Sequence, residues 1–107
     1  MDDSLCTIYV TAGSREEALR IARSLVEEKL VACVNVFGDV VSVYRWRGAC
    51  HEDPEVVLIA KTTAERRDAA MLRIVALHSY DCPCVTSWPI LAAHEDYEQW
   101  VRESVRE

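Results

Sequence analysis

The chain has 107 residues, of which 50% are hydrophobic, and a formal net charge of −6 at pH 7. That length predicts one domain over residues 1–107, with enough apolar side chains to build a core. Acids and bases are interspersed without a basic stripe, which argues against nucleic acid and anionic membranes as partners. No stretch approaches the roughly 20 apolar residues of a membrane span. The polar start and the odd number of cysteines favour a cytoplasmic protein with buried thiols over a disulfide framework.

The first part of the chain predicts a strand, a helix and a second strand. Leu5–Thr11 is mostly apolar, which is typical of a strand covered on both faces. Ser14 begins a helix that runs to about Lys29, and Glu17 completes a capping box with it. Apolar residues recur at helical spacing along this segment, so we expect one helix face to pack on the sheet.

The next run, Val31–Gly48, is rich in β-branched and aromatic residues and predicts a long strand. At about 3.3 Å per residue, some sixteen residues of such a strand would reach roughly 50 Å. A compact domain of this size has a radius of gyration of about 13 Å, so the strand must bend or overhang. Phe37–Asp39, with its central glycine, is the predicted bend. An apolar overhang would leave a sheet edge in water, and the sequence therefore predicts an oligomer.

The middle of the chain predicts a turn, a strand and a helix. Arg47–Pro54 is polar and predicts a turn, and Glu55–Thr62 is the expected antiparallel partner of the long strand. Thr62 and Glu65 have the spacing of a second capping box, which opens a helix ending near His78. The expected apolar stripe of this helix consists of Met71, Leu72, Ile74 and Val75.

The C-terminal part predicts a fourth strand and a last helix. The strand is Val85–Ala92, where Pro89 argues for an edge position or a bulge, and the helix is His94–Glu107. The resulting β-α-β-β-α-β order with an extra helix is that of the α+β, ferredoxin-like sandwich, a four-stranded antiparallel sheet with two helices on one face. Because the strands are apolar on both sides, a symmetric oligomer is expected to cover the second face.

The segment His78–Cys84 holds an imidazole, a phenol, a carboxylate and two thiols. Thiolates and imidazole suit copper(I) or zinc, which makes His78, Cys82 and Cys84 candidate metal ligands. Zinc sites usually add a second ligand pair some distance away, and this sequence has none. The alternative is a structural loop in which His78 closes the helix and Cys84 enters the core, and the pattern alone favours that alternative.

A second cluster combines aromatic residues with a lysine. Tyr44 and Trp46 are two residues apart on the long strand and share a face, while Lys61 is the only charge inside its strand. With Tyr80, they form a candidate ligand cleft for a small anion between subunits. In the alternative interpretation, the aromatic side chains form a subunit interface and Lys61 pairs with an acid while its stem packs.

Enzymatic chemistry has little support in the sequence. Nucleophilic catalysis needs a thiol or hydroxyl beside an oriented base, and no such arrangement can be named. A glycine-rich phosphate loop is also absent from a sequence with three glycines. We therefore expect a binding protein that requires no cofactor, and not an enzyme.

Several spaced segments carry a resemblance to one family, and they occur in the right order. They are Thr11–Ala12, Glu28–Asn35, Ser42–Gly48, Glu55–Thr62, His78–Tyr80, Pro83 and Tyr97–Trp100. Over essentially its whole length the chain resembles the CutA (divalent-cation-tolerance) family. The resemblance implies a ferredoxin-like fold assembled as a homotrimer similar to the PII signalling proteins, with copper or another divalent metal ion as ligand. Its alternatives are a PII-like regulatory module that binds a small anion, and a trimeric scaffold for a protein partner.

Three positions depart from the family pattern. Ser79 stands where the family usually has proline, Cys84 where glutamate is common, and Val10 where some members have cysteine. The metal ligands proposed for the family draw on that cysteine, on the acidic position and on a histidine near His78. The resemblance therefore implies that a metal site in this chain is rebuilt around thiolates.

Overall fold

The structure is a computed structural model that describes residues 2–107. Within these residues the strands are β1 (Leu5–Ala12), β2 (Cys33–Trp46), β3 (Ala49–Thr63) and β4 (Val85–Pro89). The helices are α1 (Arg15–Glu27), α2 (Ala64–Leu77) and α3 (Glu95–Ser104). The strands form one antiparallel sheet in the order β2-β3-β1-β4. The predicted α+β, ferredoxin-like fold with an extra C-terminal helix is confirmed, and so is the edge position of the fourth strand.

The main core lies between α1, α2 and one face of the sheet. Alternate strand residues point to the same face, so even-numbered positions of β1 and of residues 56–62 in β3 meet the two helices. The largest fully buried side chains of this core are Ile8, Val10, Ile21, Leu25, Leu58 and Ile74. At the start of α1, the hydroxyl oxygen of Ser14 accepts a hydrogen bond from the N–H of Glu17 at 3.1 Å, which confirms the predicted N-cap.

The β2–β3 hairpin turns more tightly than the sequence predicts. The polar segment Arg47–Pro54 is not a loop, because Trp46 and Ala49 already pair with each other. Only Arg47 and Gly48 connect the strands, with φ of 50° and 81°. Two successive positive φ values give a turn whose twist matches that of the strands. The prediction was wrong because residues 50–54 are polar for a different reason, since they form an exposed part of β3.

This hairpin projects from the sheet. β3 pairs with β1 from Val56 to Thr63, and residues 49–55 of β3 pair with residues 40–46 of β2. We call this two-stranded projection the overhang. β2 changes register between Phe37 and Val40, which confirms the predicted irregularity, and the molecule measures 44 × 25 × 23 Å. Val41, Val43, Tyr44 and Trp46 are exposed on the overhang.

The second capping box is absent from the start of α2. The Thr62 hydroxyl instead donates to the carbonyl oxygen of Leu30 at 2.7 Å, and Thr62 is fully buried. The N–H of Ala64 donates to the carbonyl oxygen of Ser4 at 2.8 Å. The prediction was wrong because β3 runs one residue further than expected, and this places the Thr62 side chain inside the core.

The apolar stripe of α2 is also narrower than predicted. Ala70 and Ile74 are buried, whereas Leu72 and Val75 are exposed. A helix turns by about 100° per residue, so neighbouring apolar residues cannot all share one face. Two of the four residues of the predicted stripe, Leu72 and Val75, therefore point to solvent.

The sheet face opposite α1 and α2, here called the second face, is covered at one end by α3. Val101 and Val105 are buried there against Leu5 and Ala32. Leu5 and Ile8 differ by an odd number of positions along β1, so their side chains point to opposite faces. Towards the overhang, the second face borders a cavity beside Tyr9 and Thr11.

The thiols are less buried than the sequence suggests. Cys6 is buried and Cys33 half-buried, while Cys50, Cys82 and Cys84 are exposed, and all are free. The expectation of buried thiols is therefore wrong for three of them, because these residues lie in the overhang and in the loop before β4. In residues 2–107, no helix has both the length and the apolar character needed to cross a bilayer.

Candidate functional site

An open cavity of about 560 Å³ lies on the second face, between the overhang and the loop that joins α2 to β4. β1 and β3 supply its floor, β2 supplies one wall and the loop supplies the other. Its lining includes Tyr9, Thr11, Tyr44, Trp46, Glu55, Tyr80, Asp81, Cys82 and Cys84. The cavity therefore contains residues from both candidate sites of the sequence analysis.

Three of the four predicted cleft residues meet in this cavity. Tyr44, Trp46 and Tyr80 line it, but Lys61 lies six residues beyond Glu55 along β3. At about 3.3 Å per residue this is a separation of roughly 20 Å. The Lys61 ammonium donates to the side-chain oxygen of Asn35 at 3.0 Å, so its partner within residues 2–107 is an amide and not the expected acid. One protomer thus does not assemble the predicted anion cleft.

The phenols of the cavity are hydrogen-bonded to carboxylates. Tyr44 donates to Asp53 at 2.6 Å and Tyr80 donates to Glu55 at 2.8 Å. The hydrogen bond to Asp53 raises the pKa of Tyr44, while burial and then the bond to Glu55 raise the pKa of Tyr80. Both phenols therefore remain neutral donors at physiological pH.

The charge of the cavity favours a cation. Its lining contains the carboxylates of Glu55 and Asp81 and the thiols of Cys82 and Cys84. Among the described residues that line it, none is a lysine or an arginine. A concave site whose ionisable groups carry one sign of charge concentrates ions of the opposite sign. A small anion would meet repulsion here.

His78 lies beside the cavity, at the end of α2, with a fully buried side chain. Its Nε2 is 2.7 Å from the carbonyl oxygen of Thr11. A carbonyl can only accept, so Nε2 carries the proton and donates it. Nδ1 is then the acceptor, and it receives the N–H of Tyr80 at 3.1 Å. Both nitrogens are used inside the protein, which leaves no free lone pair for a metal ion.

Glu17 is a functional residue that the sequence analysis placed only in a capping box. Its carboxylate accepts the N–H of Ser79 at 2.8 Å and lies 3.7 Å from Nδ1 of His78. Burial opposes ionisation of this group, but the hydrogen bonds from Ser79, together with smaller contributions that include one from Gly13, lower the pKa of Glu17. The signal was present in the sequence: Glu17 precedes Ile21 by one helical turn and so shares its buried face.

The three predicted metal ligands do not form a set. Cys82 and Cys84 are exposed and line the cavity, whereas His78 is buried with its ring 4.6 Å from that of Tyr80. In the part of the chain that the structure describes, no group of three or more His, Cys, Asp or Glu side chains is placed to hold a metal ion. With both of its ring nitrogens hydrogen-bonded inside the protein, His78 is held apart from Cys82 and Cys84, whose thiols remain the candidate ligands.

Comparison with known proteins decides the family. A family model described as CutA1 divalent ion tolerance protein matches residues 6–104. The chain belongs to the CutA1 divalent ion tolerance family. The divalent-cation tolerance protein CutA of Thermus thermophilus is 40% identical over 97 residues, which are 91% of this chain and 94% of that protein. The resemblance seen in the sequence is confirmed.

Other CutA proteins differ in length and in described location. The rice protein described as CutA 1, chloroplastic, is 40% identical over 100 residues, which are 94% of this chain and 56% of that protein. The structure of the protein described as periplasmic divalent cation tolerance protein CutA from Archaeoglobus fulgidus matches with a TM-score of 0.92 and 38% identity. The match covers 95% of this chain and 99% of that one. Since CutA proteins are described in different compartments, a cytoplasmic location of this chain stays a prediction.

Proposed function

We propose that this CutA1 family member is a cytoplasmic homotrimer that binds a soft metal cation, such as copper, through Cys82 and Cys84. The observation that carries the proposal is the composition of the cavity. Two exposed thiols and two carboxylates line it, and no basic side chain of the described residues does. Thiolates are the preferred protein ligands of soft cations. We expect neither a catalytic activity nor a cofactor needed for folding.

Binding to the thiols can be measured by calorimetry with the reduced protein. Copper(I), supplied as a complex with a weak chelator, is expected to saturate the wild-type chain and to lose its site in the Cys82→Ser/Cys84→Ser double variant. Cys50→Ser is the matched control, because Cys50 is also an exposed thiol but lies near the tip of the overhang. Equal binding by the wild type and the double variant would refute the assignment of these thiols.

The overhang supports the trimer. Val41, Val43, Tyr44 and Trp46 are exposed on a projection that its own domain does not cover. An unpaired strand edge with apolar side chains is unfavourable in water, and neighbouring copies can bury it. Sedimentation should give three times the 12.1 kDa mass of the chain at micromolar concentration. A stable monomer would contradict the proposal.

A second candidate function rests on Lys61. This half-buried ammonium has an amide as its hydrogen-bond partner, so its charge is not neutralised by that contact. A PII-like regulatory module would use Lys61 to bind a small anion at a cleft between subunits, and a protein partner on a trimeric scaffold could supply a carboxylate instead. Tryptophan fluorescence during titration with phosphate and carboxylate metabolites tests this function. A response that is lost in Lys61→Ala and kept in the exposed Arg23→Ala would support it over the metal site.

A further inference from the structure

The cavity offers a metal ion two sulfur ligands and no nitrogen ligand. The two thiols are separated by Pro83 alone, and both line the cavity. The imidazole that follows α2 could have completed a larger site, but its nitrogens are occupied by Thr11 and Tyr80. This coordination chemistry differs from that expected for a divalent ion.

We infer that the cation held by Cys82 and Cys84 is monovalent and two-coordinate, copper(I) or silver(I). His78 is then a positioning residue for residues 79–84, the loop that carries both thiols and is here called the thiol loop. The inference rests on the proposed function and narrows it. The family description names divalent ions, whereas the residues of this chain select against them.

Coordination number gives the first step of the argument. Zinc(II) takes four ligands, and in structural sites these are cysteine and histidine side chains arranged as a tetrahedron. Copper(I) and silver(I) accept two thiolates without further ligands, and softness favours sulfur over oxygen. Within residues 2–107, no set of three or more metal-binding side chains is in place. Two thiols therefore satisfy a monovalent soft ion and leave zinc(II) with half of its ligands.

The other metal-binding groups of the cavity do not complete a set with the thiols. Asp81 also lines the cavity, but within residues 2–107 it forms no group of three ligands with Cys82 and Cys84. The Glu55 carboxylate accepts the Tyr80 phenol at 2.8 Å. Turning His78 towards the cavity would break its bonds at 2.7 Å and 3.1 Å. The carbonyl of Thr11 and the N–H of Tyr80 would then lose their partner, and a buried polar group without a partner is costly. A divalent ion would have to supply that free energy before it gained a nitrogen ligand.

The buried imidazole of His78 also helps to fix the position of the thiol loop. His78 holds the N–H of Tyr80, and Glu17 holds the N–H of Ser79 at 2.8 Å. These two bonds fix the loop where it leaves α2, at Ser79 and Tyr80, which directly precede the segment that carries Cys82. Groups that orient metal ligands without touching the ion change affinity by about 10- to 100-fold when they are removed.

The experiment compares cations on the full-length, reduced protein. Copper(I) and silver(I) are titrated against competing chelators, followed by zinc(II) in excess. We expect one monovalent ion per chain at Cys82 and Cys84, and no displacement of it by zinc(II). The ¹⁵N signals of the His78 ring are recorded in parallel, and Nε2 should remain protonated and Nδ1 unmetallated in the loaded protein.

Variants at His78 separate positioning from ligation. His78→Gln keeps an N–H donor near the place of Nε2, and His78→Asn keeps an acceptor near the place of Nδ1. For a positioning residue, both variants should keep the stoichiometry and lose about 10- to 100-fold in affinity for copper(I). The ring signals of the wild type keep the test valid if either variant fails to fold.

The outcomes are distinct. Zinc(II) that competes with copper(I), or a metal-bound nitrogen signal of His78, would overturn the inference while the proposed function stands. Failure of every cation to bind would overturn the proposed function itself. Copper(I) binding that is unchanged in Cys82→Ser would show that the ion lies elsewhere and would overturn both.

Discussion

The hydrogen bond between Glu17 and Ser79 allows a sharp test of how the thiol loop is held. Glu17→Gln keeps the shape of the side chain and an oxygen acceptor but removes the charge. The bond measures 2.8 Å and the Glu17 side chain is almost completely buried. A hydrogen bond to a charged group contributes about 1.5–3 kcal/mol, and one between neutral groups about 0.5–1.5 kcal/mol. At pH 7 the variant should therefore be less stable by about 1 kcal/mol.

The sign of the pH dependence follows from the direction of the shift. Burial opposes ionisation of Glu17, but hydrogen bonds led by those from Ser79 hold its pKa below the ordinary value of 4.5. The ionised carboxylate thus adds stability above the pKa of the unfolded chain, and this contribution disappears as pH falls through the folded pKa. The difference between wild type and Glu17→Gln should be complete at pH 7 and should shrink as the solution becomes more acidic than pH 4.5.

Urea unfolding at equal protein concentration, at pH 7 and under acidic conditions, measures both effects. Glu16→Gln is the matched control, because Glu16 lies beside Glu17 in the first turn of α1 but is exposed. It loses the same charge near the same helix end, where the interaction with the dipole is worth about 0.3–1 kcal/mol. Equal destabilisation by the two variants, or a difference that persists unchanged in acid, would refute a special role of the buried carboxylate.

Three further substitutions test the assembly, the turn and the core. Val43→Asp places a charge on a residue of the overhang that is 69% exposed and should shift sedimentation towards the monomer, whereas Leu72→Asp on α2, at 73% exposure, should not. If Val43→Asp sediments like the wild type, the overhang is not an interface between copies. Gly48→Ala should lower the free energy of unfolding, measured by thermal unfolding, by about 1–2 kcal/mol, because Gly48 has φ of +81°, which residues with a Cβ rarely adopt. The new Cβ would meet no other atom within 4 Å, so no steric clash adds to this loss. Thr62→Val should lower the free energy of unfolding in urea by about 1–3 kcal/mol, since it leaves the part-buried carbonyl of Leu30 without its donor. A smaller loss would show that this carbonyl finds another partner.

The sequence predicts the fold well because the spacing of apolar residues agrees, along most of the chain, with the positions of helix-capping residues, glycines and prolines. Ser14 caps α1 as expected, and Pro89 lies in an edge strand. The errors occur where polarity has a cause other than a loop. Residues 50–54 are polar because they belong to an exposed hairpin, and the first sign of its two-residue turn is Gly48. Local patterns cannot distinguish a solvated strand from a turn when both faces of the strand are polar.

The candidate site was predictable in its residue types but not in their roles. The concentration of metal-binding chemistry in His78–Cys84 is visible in the sequence, and two of its thiols do line the cavity. The role of His78 depends on a carbonyl of Thr11, which lies 67 residues away along the chain. Backbone acceptors have no signature in the sequence, because every residue carries one. Only the fold shows that this imidazole is already bonded.

The departure at Val10 has a different meaning once the faces of β1 are known. The resemblance to CutA proteins implies that cysteine at this position supplies a metal ligand, so valine would remove one. Val10 is 1% exposed and lies in the main core, whereas its neighbour Thr11 lines the cavity on the second face. Successive strand residues point to opposite sides of a sheet, so a thiol at position 10 would not reach the cavity. Val10 therefore removes no side chain from the lining of this cavity, whereas Cys84 places a thiol in it. Val10→Cys should accordingly leave the copper(I) stoichiometry unchanged in calorimetry, and an additional bound ion would show that the core side of β1 is also accessible to metal.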